Sequence, residues 1–199
     1  MNIANCLTVI RLFISPIFLL IYLEHDNLGI SDQTLPYVLL GLFFIAELSD
    51  AFDGYLARKY NQVTDLGKVL DPMADSIFHI SVFLTLTLEP VKLPMLLVFV
   101  ILYRDYIVST LRTLCALRGF TLAARWTGKI KAVTQAVTAF IIICLLIPHS
   151  QGTLSTAMLQ WISTWLVALA SVYTIFSGFD YLYSNRDYIQ KALTLPKEA

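Results

Sequence analysis

Six long apolar runs, separated by short polar linkers, constrain this chain before anything else does. A helix needs roughly 20 predominantly apolar residues to cross the hydrocarbon core of a bilayer. Runs of that order occur at residues 7–23, 35–58, 67–88, 93–118, 125–147 and 156–183. Hydrophobic residues make up 57% and charged residues 14% of the 199 positions, and the mean hydropathy is +0.70. Soluble domains carry about a quarter charged residues, so the sequence describes an integral membrane protein. Its 14 basic and 14 acidic residues cancel, which excludes the strongly basic balance of a nucleic-acid-binding protein.

The first apolar run resembles a secretory signal, but Arg11 and Pro16 interrupt it, no A-x-A-like cleavage site follows, and more spans come after it. It reads as retained, a short N-terminal interfacial segment leading into the first helix. The linkers are short, no repeat is visible, and only the tail from Ser184 is polar. One all-α domain over residues 1–199, with six transmembrane helices, is the expected architecture. Cys6, Cys115 and Cys144 lie far apart in apolar segments and have no metal-ligand spacing, so they read as packing residues.

Linker charges orient the helices. The linker after helix one carries Glu24, Asp26 and Asp32 without Lys or Arg, and the one after helix three carries Lys92 as its only base. The alternate linkers carry Arg58, Lys59 and Lys68, then Arg118 and Arg125; the tail adds Arg186, Lys191 and Lys197. The positive-inside rule then puts both termini in the cytoplasm.

Four aspartates stand against this apolar background. Each uncompensated carboxylate near a bilayer centre costs roughly 2.5–3.5 kcal/mol, so the four together demand cations. Asp50 and Asp53 are three apart on helix two, and Asp71 and Asp75 four apart on helix three. Each pair shares a helical face. A short linker makes the two helices antiparallel neighbours, so the four carboxylates converge at the cytoplasmic end. Clustered oxygen donors suit Mg²⁺ or Mn²⁺, and two such ions would balance four charges and clamp a phosphoryl displacement.

The residues between the acids fit a phosphate ligand. Gly54 has no Cβ, Ala57 keeps the same face open one turn on, and Arg58 offers a planar fork to phosphate oxygens. Gly67 opens helix three, where small size and a helix N-terminus favour an anion. Pro72 weakens the hydrogen-bond ladder between the later aspartates.

These positions satisfy the pattern D-x2-D-G-x2-A-R-x8-G-x3-D-x3-D throughout, with Asp50, Asp53, Gly54, Ala57, Arg58, Gly67, Asp71 and Asp75. The chain thereby resembles the CDP-alcohol phosphotransferase family. The stretches NIANCLTVIRLFISP, RDYIVSTLR, GKIKAVTQ and TIFSGFDYLYSNRD extend the resemblance. They are most similar to the bacterial CDP-diacylglycerol:glycerol-3-phosphate 3-phosphatidyltransferases.

The resemblance implies six helices around a polar, cytoplasm-facing cavity, a homodimer, and a place in a bacterial inner membrane. It implies two divalent ions on Asp50, Asp53, Asp71 and Asp75, and CDP-diacylglycerol lying against Gly54, Ala57, Arg58, Gly67 and Thr8. The acceptor, sn-glycerol 3-phosphate, would attack the phosphorus next to the diacylglycerol and release CMP, with Asp75 as general base or as metal ligand only. Arg11, in the NxxTxxR-like run with Thr8, either touches the nucleotide or anchors helix one.

A phosphorylated acceptor needs cations of its own. Arg104 and Arg112, eight apart inside the fourth apolar run, and Lys129 and Lys131, opening the fifth, are the acceptor-phosphate candidates. The plainer reading pairs Arg104 with an acid such as Asp105 and leaves the lysines to the positive-inside rule. Glu47, one turn before Asp50, reads as cavity wall, and His79, one turn after Asp75, as a packed, hydrogen-bonded residue. The tyrosines and tryptophans read as interface and packing residues. Ser76, where relatives often carry lysine, and Asp105, where glutamate is common, depart from the resemblance in the acceptor region. Two readings compete with glycerol-3-phosphate transfer: the same chemistry on phosphatidylglycerol, inositol phosphate or an amino-alcohol, and a non-enzymatic divalent-cation transporter whose acids line a path.

Overall fold

The computed structural model describes the backbone of residues 3–59, 65–117 and 125–194, and the side chains of residues 10–50, 52, 73–115 and 125–190. The elements are α1 (Ile3–Glu24), α2 (Leu35–Lys59), α3 (Asp65–Thr85), α4 (Met95–Leu117), α5 (Trp126–Ser150), α6 (Thr156–Ser184) and α7 (Arg186–Thr194). No strand occurs among the described residues.

The boundaries follow local chemistry. Pro94 stands immediately before α4, where its fixed φ suits a helix start and its missing N–H is not needed. Ser155 caps α6, its hydroxyl accepting from the Met158 amide at 3.3 Å. Gly152, at φ 75°, turns the chain out of α5 in a left-handed conformation that other residues avoid.

The N-terminal stretch expected to lead into the first helix is itself helical: α1 is continuous from Ile3, and residues 3–9 contain neither Gly nor Pro to stop it. In the polar tail, α7 follows α6 after the single residue Asn185.

Among the described residues, α1 packs against both α2 and α3, α5 against α6 and α2, and α4 against α6 and α3, while direct contact between α2 and α3 is sparse. Phe18, Leu39, Phe83, Val82 and Ile142 fill the centre without exposure. The outer face is equally apolar: Leu96 is 72% exposed and Phe179 70%. Water does not tolerate so much bare aliphatic and aromatic surface on one molecule. Among the described residues α5 and α6 are long and apolar enough to cross a membrane, and the chain is a membrane protein.

Polar residues concentrate inside instead. Arg11, His79, Asp105, Lys131, Gln135, Thr174 and Ser177 are all buried. In an apolar solvent such groups must satisfy one another or a ligand.

Candidate active site

Two of the four aspartates have described side chains, and they flank α1. Asp50 projects from α2 and meets Arg11 of α1, whose guanidinium lies 2.6 Å from its Oδ1. Arg11 is 1% exposed while the Asp50 carboxylate remains 48% exposed. Buried arginine thus faces an accessible acid. The sequence reading set α2 and α3 side by side; they meet through Glu47 and His79, while α1 packs on both and brings Arg11 to Asp50. A cation beside acid-bearing helices relieves the repulsion between their carboxylates.

Asp75 of α3 lies within electrostatic reach of Asp50. Its Oδ1 is 3.2 Å from His79 Nδ1, which also lies 3.1 Å from the Asp75 main-chain carbonyl. His79 Nε2 is 3.0 Å from Glu47 Oε1 of α2. His79 is therefore sandwiched between two carboxylates and ties α2 to α3. The expectation of a packed, hydrogen-bonded histidine is met, and Glu47 is more specific than a generic wall.

Asp53, Gly54, Ala57 and Arg58 fall on α2, Gly67 and Asp71 on α3, and Thr8 on α1. Their side chains lie outside the described residues, as does that of Cys6.

The second layer joins α4, α5 and α6. Asp105 holds Lys131 Nζ at 2.5 Å on Oδ2 and accepts a hydrogen bond from Arg104 Nη1 at 3.1 Å on Oδ1. Arg104 Nη2 donates to Ser177 Oγ at 2.8 Å, and Gln135 Nε2 donates to Thr174 Oγ1 at 3.3 Å. Two cations share one carboxylate, so the group keeps one net positive charge. Lys131 is also within electrostatic reach of Asp75, which sets this charge beside the first cluster.

Gly178 makes room for the arrangement. A Cβ there would sit 3.0 Å from Arg104 Cγ, so glycine lets the arginine lie close across α6 without being pushed aside. Arg112, two turns beyond Arg104, stacks over Tyr181 with Cζ 5.9 Å from the ring centroid. The structure thus brings Arg104 and Lys131 together and keeps Arg112 on the same pair of helices. Lys129 goes elsewhere: it is exposed, and its Nζ lies 4.9 Å over the Trp126 ring.

Sequence reasoning missed Ser177, Gly178 and Tyr181. Their signal is the recurrence of Thr174, Ser177, Gly178 and Tyr181 along one buried face of an otherwise apolar helix, a spacing of small and polar residues that marks close helix contact in membranes. Asp105 was read as one possible partner of Arg104; that it also holds Lys131 depends on a contact between residues 26 apart.

A separate polar group lies in the α1–α2 linker. His25 Nδ1 is 3.0 Å from the Tyr22 carbonyl and Nε2 3.0 Å from Asp32 Oδ1. Both ring nitrogens face acceptors. Burial works against the charged ring, but the Tyr22 carbonyl, Asp32 and Asp26 outweigh it and raise the pKa above the usual histidine value. Donor atoms of His25, Asp26 and Asp32 lie within 4.8 Å of one another, but both acids are exposed and the group belongs to neither layer described above.

Comparison with known proteins decides the family. Residues 1–176 match the CDP-alcohol phosphatidyltransferase family. The chain belongs to that family. Among its curated relatives is the CDP-diacylglycerol–glycerol-3-phosphate 3-phosphatidyltransferase of Bacillus subtilis (strain 168), 32% identical over 191 residues, covering 92% of this chain and 95% of the relative. The protein of the same description from Rickettsia typhi is 31% identical, with 94% and 98% covered. A probable phosphatidylglycerophosphate synthase of Mycobacterium tuberculosis (strain H37Rv) is 33% identical, with 91% and 80% covered. As a CDP-alcohol phosphatidyltransferase, the chain carries the eight-position pattern on α2 and α3, within the matched region.

Proposed function

We propose that this chain transfers a phosphatidyl group from CDP-diacylglycerol to sn-glycerol 3-phosphate, giving phosphatidylglycerophosphate and CMP. The observation that carries the reading is its likeness, over more than nine-tenths of its length, to relatives described by that reaction. The structural support is a buried group with one net positive charge next to Asp75, suited to an acceptor that brings its own phosphate.

Asp50, Asp53, Asp71 and Asp75 are the residues that would hold two divalent cations. The fit is chemical: Asp50 and Asp75 present hard carboxylate oxygens near one another, and Arg11 offsets only part of their charge. Bound Mg²⁺ or Mn²⁺ would supply charge stabilisation for the diphosphate and the displaced CMP.

The chain's own residues do the rest. Gly54, Ala57, Arg58, Gly67 and Thr8 accommodate the CDP moiety. Arg104, Arg112 and Lys131 receive the acceptor phosphate; Lys129, exposed on Trp126, draws the anion toward the site. The acceptor hydroxyl oxygen forms the new bond to phosphorus as the bond to CMP breaks, and its proton passes to the Asp75 carboxylate. His79 holds that carboxylate in place through Nδ1. Six spans around a cytoplasm-facing cavity, cytoplasmic termini, a single domain over residues 1–199 and a homodimer in a bacterial inner membrane complete the proposal.

The test is CMP release by purified protein supplied with CDP-diacylglycerol, Mg²⁺ or Mn²⁺ and a panel of acceptors. Release with sn-glycerol 3-phosphate is expected. Release only with phosphatidylglycerol, inositol phosphate or an amino-alcohol would overturn the acceptor assignment; none with any acceptor would overturn the enzyme.

A further inference from the structure

Tyrosine in a membrane protein ordinarily sets its ring at the bilayer boundary with the hydroxyl in the headgroup layer. Tyr183 and Tyr188 are 70% and 50% exposed, whereas Tyr181 is 3% exposed. Its hydroxyl is buried and has no hydrogen-bond partner among the described residues. Buried polar atoms are almost always bonded, and leaving one bare is costly. A phenol used only for packing would be better replaced by phenylalanine.

The surroundings say what would satisfy it. Tyr181 lies one turn beyond Ser177 on the same buried face of α6, and Ser177 already holds Arg104. Arg112 lies over the Tyr181 ring, and the Nε of Arg112, like that of Arg104, is a buried donor without a partner among the described residues. Three unused donors, two of them cationic, therefore lie along the contact between α4 and α6. Unpaired donors on two guanidinium groups and a phenol suit an anion with several oxygens.

We infer that the Tyr181 hydroxyl is a binding group for the phosphorylated acceptor, donating a hydrogen bond to its phosphate alongside Arg104 and Arg112. The inference rests on the proposal that these arginines receive the acceptor phosphate, and it adds the residue that closes the phosphate's coordination on the α6 side. The role is binding rather than catalysis, so it acts on acceptor affinity and leaves CDP-diacylglycerol alone.

Tyr181→Phe removes one oxygen and keeps the ring under Arg112. Three quantities are read on the purified full chain: KM for sn-glycerol 3-phosphate at saturating CDP-diacylglycerol, KM for CDP-diacylglycerol at saturating acceptor, and Tm with and without inorganic phosphate. A lost hydrogen bond to a charged group corresponds to about a ten- to hundredfold rise in the acceptor KM. The CDP-diacylglycerol KM should stay put, Tm without ligand should hold or rise because an unsatisfied hydroxyl is gone, and the Tm gain from phosphate should shrink. A lowered Tm without ligand would show that the hydroxyl is bonded in the empty protein, and would overturn the inference. So would an unchanged acceptor KM. Arg104→Gln separates the two levels: if it raises the acceptor KM while Tyr181→Phe does not, only the tyrosine assignment fails, and if neither does, the acceptor site itself fails.

Discussion

Asp105→Asn is the substitution whose cost the structure lets one work out. Asp105 is 4% exposed and Lys131 5%, and the aspartate is the carboxylate on which both Lys131 and Arg104 rest. Asparagine fills the same space but leaves two buried cations with no counter-charge at that position. Removing one partner of a buried ion pair costs about 3–5 kcal/mol, mostly because the other charge stays desolvated. At about 2–4 °C per kcal/mol for a chain of this size, that corresponds to a Tm lowered by roughly 6–20 °C. Thermal unfolding of purified protein in detergent measures it. A cluster with two bare cations also gains more from an anion, so inorganic phosphate should raise the Tm of Asp105→Asn more than that of the wild type. Lys131→Met placed on the asparagine background removes one uncompensated charge and should restore part of the lost Tm. The reasoning fails if Asp105→Asn melts with the wild type, or if Lys131→Met lowers the Tm further by its full single-variant amount.

The other predictions concern the remaining parts of the site and the linker. Gly178→Ala places a Cβ 3.0 Å from Arg104 Cγ, so Arg104 must move by a few tenths of an ångström against its bond to Ser177; a several-fold rise in the KM for sn-glycerol 3-phosphate is expected, with that for CDP-diacylglycerol constant, and a uniform loss in both would refute the account. Asp71→Asn should bring CMP release to background while the protein still inserts and melts cooperatively, and chelation of divalent ions should do the same to the wild type until Mg²⁺ or Mn²⁺ is restored. Retained turnover in the variant would contradict a metal-ligand role. The pKa of His25 is raised in the folded chain. Its stabilising contribution is complete below the unfolded histidine value of about 6.5 and disappears as pH climbs through the higher folded value. The Tm advantage of wild type over His25→Gln should therefore be largest in mildly acidic buffer and fade with rising pH; an advantage that grows with pH would have the sign wrong.

The helices were legible because the apolar runs and their breakers are local. Thr156 begins α6 in both the sequence reading and the structure, and the start of α4 moved only to Met95, just past Pro94. The start of α1 lies earlier than the first apolar run, at Ile3 rather than about Leu7, because residues 3–9 hold no helix breaker. Family and reaction class were readable from the eight fixed positions, since charged residues in an apolar chain stand out and their spacing is a sequence property. Partnership was not. That Arg11 meets Asp50, that His79 spans Glu47 and Asp75, and that Lys131 lands on Asp105 all depend on which helices pack together. Adjacency in sequence suggested α2 beside α3; that α1 packs on both of them was not legible there. Tyr181 was hidden for a different reason: its burial and its unsatisfied hydroxyl are tertiary facts, which nothing in the sequence distinguishes among the chain's ten tyrosines.

The most direct check follows the acceptor into the lipid. Purified protein is given CDP-diacylglycerol, Mg²⁺ or Mn²⁺, and sn-glycerol 3-phosphate labelled in its glycerol carbons, and both CMP and label in the organic phase are measured. Label should enter lipid mole for mole with CMP, in a product that keeps the acceptor's phosphate monoester. CMP formed without labelled lipid, or no CMP at all, would contradict the transfer of a phosphatidyl group to glycerol 3-phosphate.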